Sequence, residues 1–248
     1  IINNSLVLGV SQLGGALVGN PNFTGGRSAR IILNEVTGSN RSSLNGATEI
    51  FGDKAAYVLA NPNGITCNGC GFINTPRVTL STGMPQMAGG NLVGFDVNGG
   101  DVLFEGLDVN ATGVDPFDII TRTAKFTAAL HAGEINVVTG RNTVDYSTKV
   151  ATAKADDGSA KPTLAIDSSA LGGMYAGKIG LVATEAGVGV KTDGKLAASA
   201  SDVVITADGR IELKNVNAAK DIKIKSANAG VKKAGDSYSG GSTTIESA

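Results

Sequence analysis

Asp208-Gly209-Arg210-Ile211-Glu212-Leu213 is the stretch from which the fold can be read. Two near-copies flank it: Asp193-Gly194-Lys195-Leu196-Ala197 on one side and Asp221-Ile222-Lys223-Ile224 on the other. In each, a turn or an acidic residue leads into a few residues that alternate apolar with polar. Such alternation is what a β-strand with one buried face requires. Short strands of this kind repeated in series, with small residues between them, mark a solenoid.

The same pattern extends towards the N-terminus. Arg30-Ile31-Ile32-Leu33, Ala56-Tyr57-Val58-Leu59, Arg77-Val78-Thr79-Leu80, Asp101-Val102-Leu103-Phe104, Glu134-Ile135-Asn136-Val137 and Lys178-Ile179-Gly180-Leu181 all read as strands. No long run has apolar residues at helical spacing with caps. Asn45-Gly46, Asn63-Gly64, Asn68-Gly69, Asn98-Gly99, Asp193-Gly194 and Asp208-Gly209 punctuate the strands, and all of them favour positive φ. Asn-Gly between strands ordinarily signals hairpins and an antiparallel sandwich. Asparagine, however, repeatedly closes an apolar run, as at Asn34, Asn61, Asn74, Asn98 and Asn110. Equivalent corners of parallel coils could stack such residues as ladders. The expected fold is therefore all-β: a right-handed parallel β-helix, with extra-helical loops or short hairpins. At ~20 residues per coil it should have roughly 10 to 12 coils and a length of about 50 Å.

The composition fits. Glycine is abundant at 35 residues, aromatics make up 4% and tryptophan is absent, so the interior must be thin layers of aliphatic side chains. The net charge of −1, from 21 basic and 22 acidic residues, gives no reason to expect nucleic acid as a partner. No apolar run is long enough to span a membrane as a helix. The chain opens mid-pattern at Ile1-Ile2-Asn3-Asn4 without an initiator methionine, which reads as a fragment or a processed form. The expected organisation is one β-helical domain over residues 1–230. A polar excursion is expected at about 146–162, and a tail or junction over 231–248.

The densest motif is Asn61-Pro62-Asn63-Gly64-Ile65-Thr66-Cys67-Asn68-Gly69-Cys70-Gly71-Phe72-Ile73-Asn74-Thr75. Pro62 fixes φ, Gly64 admits a left-handed conformation, and Asn68-Gly69 repeats the device between two cysteines. Asn20-Pro21-Asn22-Phe23 has the same turn chemistry. By turn statistics alone both are coil corners. Cys67 and Cys70 have the spacing of half a zinc site, but with them the chain offers only His131 as a further soft ligand, short of a tetrahedral set. A local disulfide or a pair of free thiols is the plainer reading. His131, the one histidine, reads as structural. Asp96, Asp101, Glu105, Asp108, Asp115 and Asp118 cluster in sequence near Arg122. They suit either a solvated face or the acidic site of a β-helical polysaccharide lyase or hydrolase. No catalytic residue, metal or cofactor is expected.

Asn61 to Thr75, with Arg77, Leu80 and Thr82-Gly83 after it, resembles the core of the secretion domain of two-partner-secretion exoproteins. These are the filamentous-haemagglutinin, haemolysin and contact-dependent growth-inhibition family. Asn20-Pro21-Asn22-Phe23 and Asn61-Pro62-Asn63-Gly64-Ile65 look like its two signature turns, with Phe23 where leucine is commoner. Ala29 to Val36, Leu44-Asn45-Gly46, Leu92 to Val97, Asp118 to Arg122 and Ala170 to Ala176 are similar to the family as well, in order along the chain. The Cys67/Cys70 pair resembles the haemolysin and growth-inhibition branches. The family's N-terminal cap has no counterpart before Ile1.

The resemblance implies a secretion domain with no enzymatic role and no small-molecule substrate. POTRA domains of an outer-membrane β-barrel transporter would recognise it after it enters the periplasm, and it would then fold at the cell surface of a Gram-negative bacterium. A downstream toxin, pore-forming or adhesive region would engage receptors on target cells. The competing expectations are the polysaccharide enzyme and a self-contained glycan-binding adhesin.

Overall fold

The structure, a computed structural model, describes residues 1–248. Every element is a strand, and all but six of the strands follow a fixed cycle through three parallel sheets. Sheet I holds Ser42–Leu44, Ile65–Asn68, Asp101–Glu105, Thr123–Phe126, Leu164–Ser168, Gly189–Thr192, Ile211–Leu213 and Val231–Lys233. Sheet II holds Ile2–Asn4, Ala47–Gly52, Gly71–Ile73, Val109–Ala111, Leu130–Ala132, Met174–Ala176, Leu196–Ala198, Val216–Ala218 and Ser237–Ser239. Sheet III holds Ile31–Glu35, Ala56–Ala60, Val78–Ser81, Phe117–Thr121, Glu134–Thr139, Lys178–Ala183, Val203–Ala207, Ile222–Ser226 and Thr243–Glu246. From Ser42 onward the chain runs I, II, III and back to I in every coil, which makes a parallel β-helix.

Register shows why a thin aliphatic interior suffices. Leu80, Ile119, Val137, Leu181, Ile205 and Ile224 lie opposite one another on successive coils of sheet III, all buried. Partners such as Leu196 and Val216, or Val190 and Ile211, are roughly twenty residues apart. Each inward side chain lies on its counterpart one coil away, so identical or similar residues fill the core without interlocking shapes. The few aromatics follow the same rule: Phe104 and Phe126 are register partners, stacked with ring centroids 4.8 Å apart.

Four expectations need revision. The near-copies around Leu196, Ile211 and Ile222 lie on sheets II, I and III in turn, so the repeat visible by eye is one strand, and a coil is three. The largest sheets have nine strands, giving a stack of about 40 Å rather than 50. The missing coils are accounted for by segments that leave the stack. The asparagines do not form a ladder: Asn34 lies opposite Leu59 and Asn110 opposite His131, Asn74 is at the II–III corner, and Asn61 and Asn98, both at the III–I corner, bond to different partners and not to each other. In place of an asparagine ladder, Thr82 and Thr121 meet through their hydroxyls at 2.9 Å. Lastly, residues 231–246 are not a tail, since they supply one further strand to each sheet.

Both large excursions leave from the III–I corner. Met84–Ala88 and Asn91–Val97 form a hairpin, which Asn142–Asp145 and Ala151–Ala153 extend into a four-stranded antiparallel sheet. The expected polar excursion at 146–162 is thus part of a larger unit, and its first residue, Tyr146, is buried. This sheet covers the outer face of sheet III. Leu92, Phe95, Val97, Val144 and Tyr146 pack on Val58, Ala60, Ile120 and Val138 as a second core.

At the other end, the hairpin Gly9–Ser11 and Gly15–Leu17 has only two strands and little intrinsic stability. Glu49 of sheet II holds it. Its carboxylate accepts from Ser11 Oγ at 2.6 Å and from the amides of Gln12 and Leu13 at 2.8 and 2.9 Å. Burial opposes ionisation here, but these hydrogen bonds outweigh it and hold the carboxyl below its usual range. A lowered folded-state pKa stabilises above the ordinary carboxylate range, about pH 4, and the contribution is lost as pH falls through the lowered value. Glu49→Ala should therefore speed amide exchange at Gln12 and Leu13 by on the order of tenfold at pH 7, with no change in the coils. Hydrogen exchange read by NMR would show it. Equal exchange in the two chains would mean that the hairpin is held by something else.

Candidate functional site

Asn61, the first residue of the densest motif, is fully buried at the III–I corner. Its side-chain amide donates to the Asn40 carbonyl at 2.9 Å and to Ser42 Oγ at 2.8 Å, both on the preceding coil. Its Oδ1 accepts from the Asn63 backbone at 2.9 Å and from Asn63 Nδ2 at 3.0 Å, while Asn63 Nδ2 also donates to the Gly38 carbonyl at 2.7 Å. The turn closes where the Gly64 amide donates to the Asn61 carbonyl at 3.0 Å. An asparagine that accepts from the amide two residues on builds a turn without help from neighbouring strands. Here its remaining donors reach back one coil.

Gly64 has φ +102° and is buried. A Cβ there would fall on the guanidinium of Arg41 and near the Asp101 carbonyl. Arg41 explains the constraint. Its Nε donates to Thr66 Oγ1 at 2.6 Å, its Nη2 to the Ile65 carbonyl at 2.8 Å, and its two terminal nitrogens to the Asp101 carboxylate at 2.8 Å each. The Asp101 hydrogen bond is the main reason that the Arg41 pKa is raised. Arg41 comes from the coil before the turn and Asp101 from the coil after it, so one side chain ties three coils together over Gly64. Ile65 then re-enters the core with no exposure.

Asn20-Pro21-Asn22-Phe23 uses the same device at a different corner, between sheets II and III. Asn20 Oδ1 accepts from the Asn22 amide at 3.0 Å, and its Nδ2 donates to the Asn3 carbonyl at 2.9 Å. The Asn20 amide donates to the Ser5 carbonyl at 2.7 Å, and Phe23 is half-buried. The two turns are not brought together, and each fastens its own corner.

Cys67 and Cys70 are bonded to each other, with Cα atoms 5.3 Å apart. Both point inward, 0% and 1% exposed. The loop they close is so short that cross-linking should stabilise by only about 2 kcal/mol. Cys67→Ala with Cys70→Ala should keep the β-sheet circular dichroism and lose about that much in urea unfolding. A lost β signal would make the cross-link essential.

The acidic residues that cluster in sequence are dispersed in space. Asp101 pairs with Arg41, Asp118 with Arg77, and Asp96 with Lys154, while Asp108 accepts from the Ala129 amide. Arg122 is taken by Glu185 at 2.7 Å. His131 lies on the outer face of sheet II, stacked on Tyr175 with centroids 4.8 Å apart. These groups do not converge on a common point.

What they fasten is a coil stack, and the comparisons with known proteins assign that stack. The family described as TPS secretion domain matches residues 14–213. This chain belongs to that family. A crystal structure of the filamentous hemagglutinin secretion domain superposes with a TM-score of 0.89 at 37% identity, over 98% of this chain and 84% of that one. "Toxin CdiA" of Yersinia pestis is 43% identical over 98% of this chain, and "16S rRNA endonuclease CdiA" of Enterobacter cloacae subsp. cloacae is 44% identical over 99%. "tRNA nuclease CdiA-2" of Burkholderia pseudomallei is 45% identical over 86%. The chain spans only 7% of the length of each of these relatives. As a TPS secretion domain, it is the segment by which a large exoprotein of the CdiA kind leaves the cell across the outer membrane for the Gram-negative surface. It is a secretion region and not a catalytic one, and its dedicated partner is an outer-membrane transporter.

Proposed function

We propose that the periplasmic POTRA domains of the β-barrel transporter recognise this chain while it is unfolded, and that the corner Asn61–Ile65 then sets the first coils on which the rest stack. The three-coil reach of Arg41 over Gly64 carries this reading. A coil that pairs only with its neighbours adds no loop-closure cost beyond its own twenty residues, so folding can proceed in order as the chain emerges. The parent protein on this reading is a contact-dependent growth-inhibition toxin. Its nuclease or other toxic activity and its target-cell receptors belong to the sequence downstream.

The test is to place a photo-reactive amino acid at exposed Asn22 or Asn63 and to produce the chain with its transporter. Cross-links to the POTRA domains are expected in the periplasm, and a transporter lacking those domains should leave the chain inside the outer membrane. Export that persists without them would defeat the proposal.

A further inference from the structure

The turn that carries the cysteines faces outward, but its sulfurs face inward. Asn68 is exposed and Gly69 half-exposed, whereas Cys67 and Cys70 belong to the main core. In register, Cys67 lies between Leu44 of the preceding coil and Phe104 of the following one. The side chain of Leu107 lies over Gly69, whose amide donates to the Leu107 carbonyl at 3.2 Å. Once the coils above and below are in place, no thiol or disulfide can line up with this bond. Exchange needs an attacking sulfur collinear with the two it joins and leaves. Access would require the core strand to open, and core strands open near the full unfolding free energy.

We propose that Cys67 and Cys70 are oxidised before the coils stack, by thiol–disulfide exchange between the unfolded chain and a disulfide-bearing oxidant in the periplasm, and that folding then seals the bond. This order rests on the export route proposed above. The Cys67 thiolate attacks the oxidant's disulfide and forms a mixed disulfide, releasing one oxidant thiolate. The Cys70 thiolate then attacks Cys67 Sγ and releases the second. The chain loses two electrons and two protons, and the oxidant's disulfide becomes a dithiol. The pair is separated by only 3 in sequence, so the oxidised chain carries no wide loop and can still pass a pore as a nearly extended strand. The reaction that must come before export is therefore a dithiol oxidation on an unfolded polypeptide.

Two measurements decide it. First, the folded, oxidised 248-residue chain is exposed to dithiothreitol, with and without denaturing urea, and free thiols are counted by maleimide labelling and mass spectrometry. Reduction at least ~100-fold slower in the folded chain is expected, and rates within about threefold of each other would overturn the proposal. Second, in cells lacking the transporter, acid quenching followed by maleimide labelling should find the retained periplasmic chain already oxidised. A reduced periplasmic chain together with an oxidised surface chain in transporter-bearing cells would overturn it. Appearance at the surface regardless of the transporter would count against the export reading, and the first measurement does not depend on that reading.

Discussion

Produced with its transporter, a Gly64→Val chain is expected to reach the culture medium several-fold less than wild type, with the difference accumulating in the periplasm or degraded there. Two costs add at this position. A β-branched residue at φ +102° is strained by about 1–3 kcal/mol. Its Cβ also occupies the place of the Arg41 guanidinium, so the links to Thr66, Ile65 and Asp101 must give way. Asn61→Ala should act in the same direction, because it leaves the Asn63 amide and the Asn40 carbonyl without their partner beside a buried position, at about 1–3 kcal/mol for each group left unpaired. Asn63→Ala should be milder, since its side chain is exposed. Urea unfolding of the same purified chains separates stability from export. If Gly64→Val and Asn61→Ala both reached the medium at wild-type levels, the corner would be an ordinary turn and not a secretion determinant.

A strand with one dry face can show its period in the sequence, and a strand buried on both faces shows none. Ile222–Ser226 alternates in sequence because its outer residues meet solvent, whereas Val203–Ala207 alternates only in burial, with Val204 on the outer face. Ala56–Ala60 is buried throughout because the antiparallel sheet covers it, so its run is continuous and carries no period, and Phe117–Thr121 is buried throughout although Asp118 lies inside it. The coil count could not be read for the same reason. Whether a segment stays in the stack depends on Val144 and Tyr146 finding Ile120 and Val138, and local pattern does not record such contacts. Glycines misled in part. Gly64 has the positive φ that Asn-Gly suggests, but Gly194 and Gly209 do not. They are glycine because a Cβ there would lie 2.6–2.7 Å from the backbone of the coil below.

The site divides along the same line. The two asparagine turns were visible because each is local: the acceptor in Asn61 or Asn20 lies two residues from its donor. Arg41 was not visible, since its partners lie 25 residues away at Thr66 and 60 away at Asp101. Nothing in Asn40-Arg41 marks a residue that spans coils, and the positive φ at Gly64 already accounts for a glycine there without pointing to Arg41.

Replacing Arg77 with Met is expected to cost about 3–5 kcal/mol in urea unfolding at pH 7. Asp118 has no solvent exposure and lies on the covered outer face of sheet III. Arg77 donates to it at 2.9 Å, lies over the Tyr146 ring at 3.8 Å and also donates to the Tyr146 carbonyl. It thereby pins the antiparallel sheet to the coils. Asn136 Nδ2 donates to the other carboxylate oxygen at 3.0 Å, and Lys149 stands 3.7 Å away. Methionine keeps the bulk of the stem but leaves the buried carboxylate with Asn136 as its hydrogen-bond donor and only the more distant Lys149 as a cation. Burial already raises the Asp118 pKa, against the pull of Arg77 and Lys149. The folded chain therefore holds this proton more tightly than the unfolded one, and stability falls as pH rises above the ordinary carboxylate range, about pH 4. Without Arg77 the pKa rises further, so the cost of Arg77→Met should shrink as the solution is acidified and Asp118 becomes neutral. Asp118→Asn in the same background should recover much of the loss, because the charge that needed a partner is gone. A cost that stayed constant between pH 7 and about pH 4, with no rescue by Asp118→Asn, would show that Arg77 acts through packing on Tyr146 and not through the buried charge.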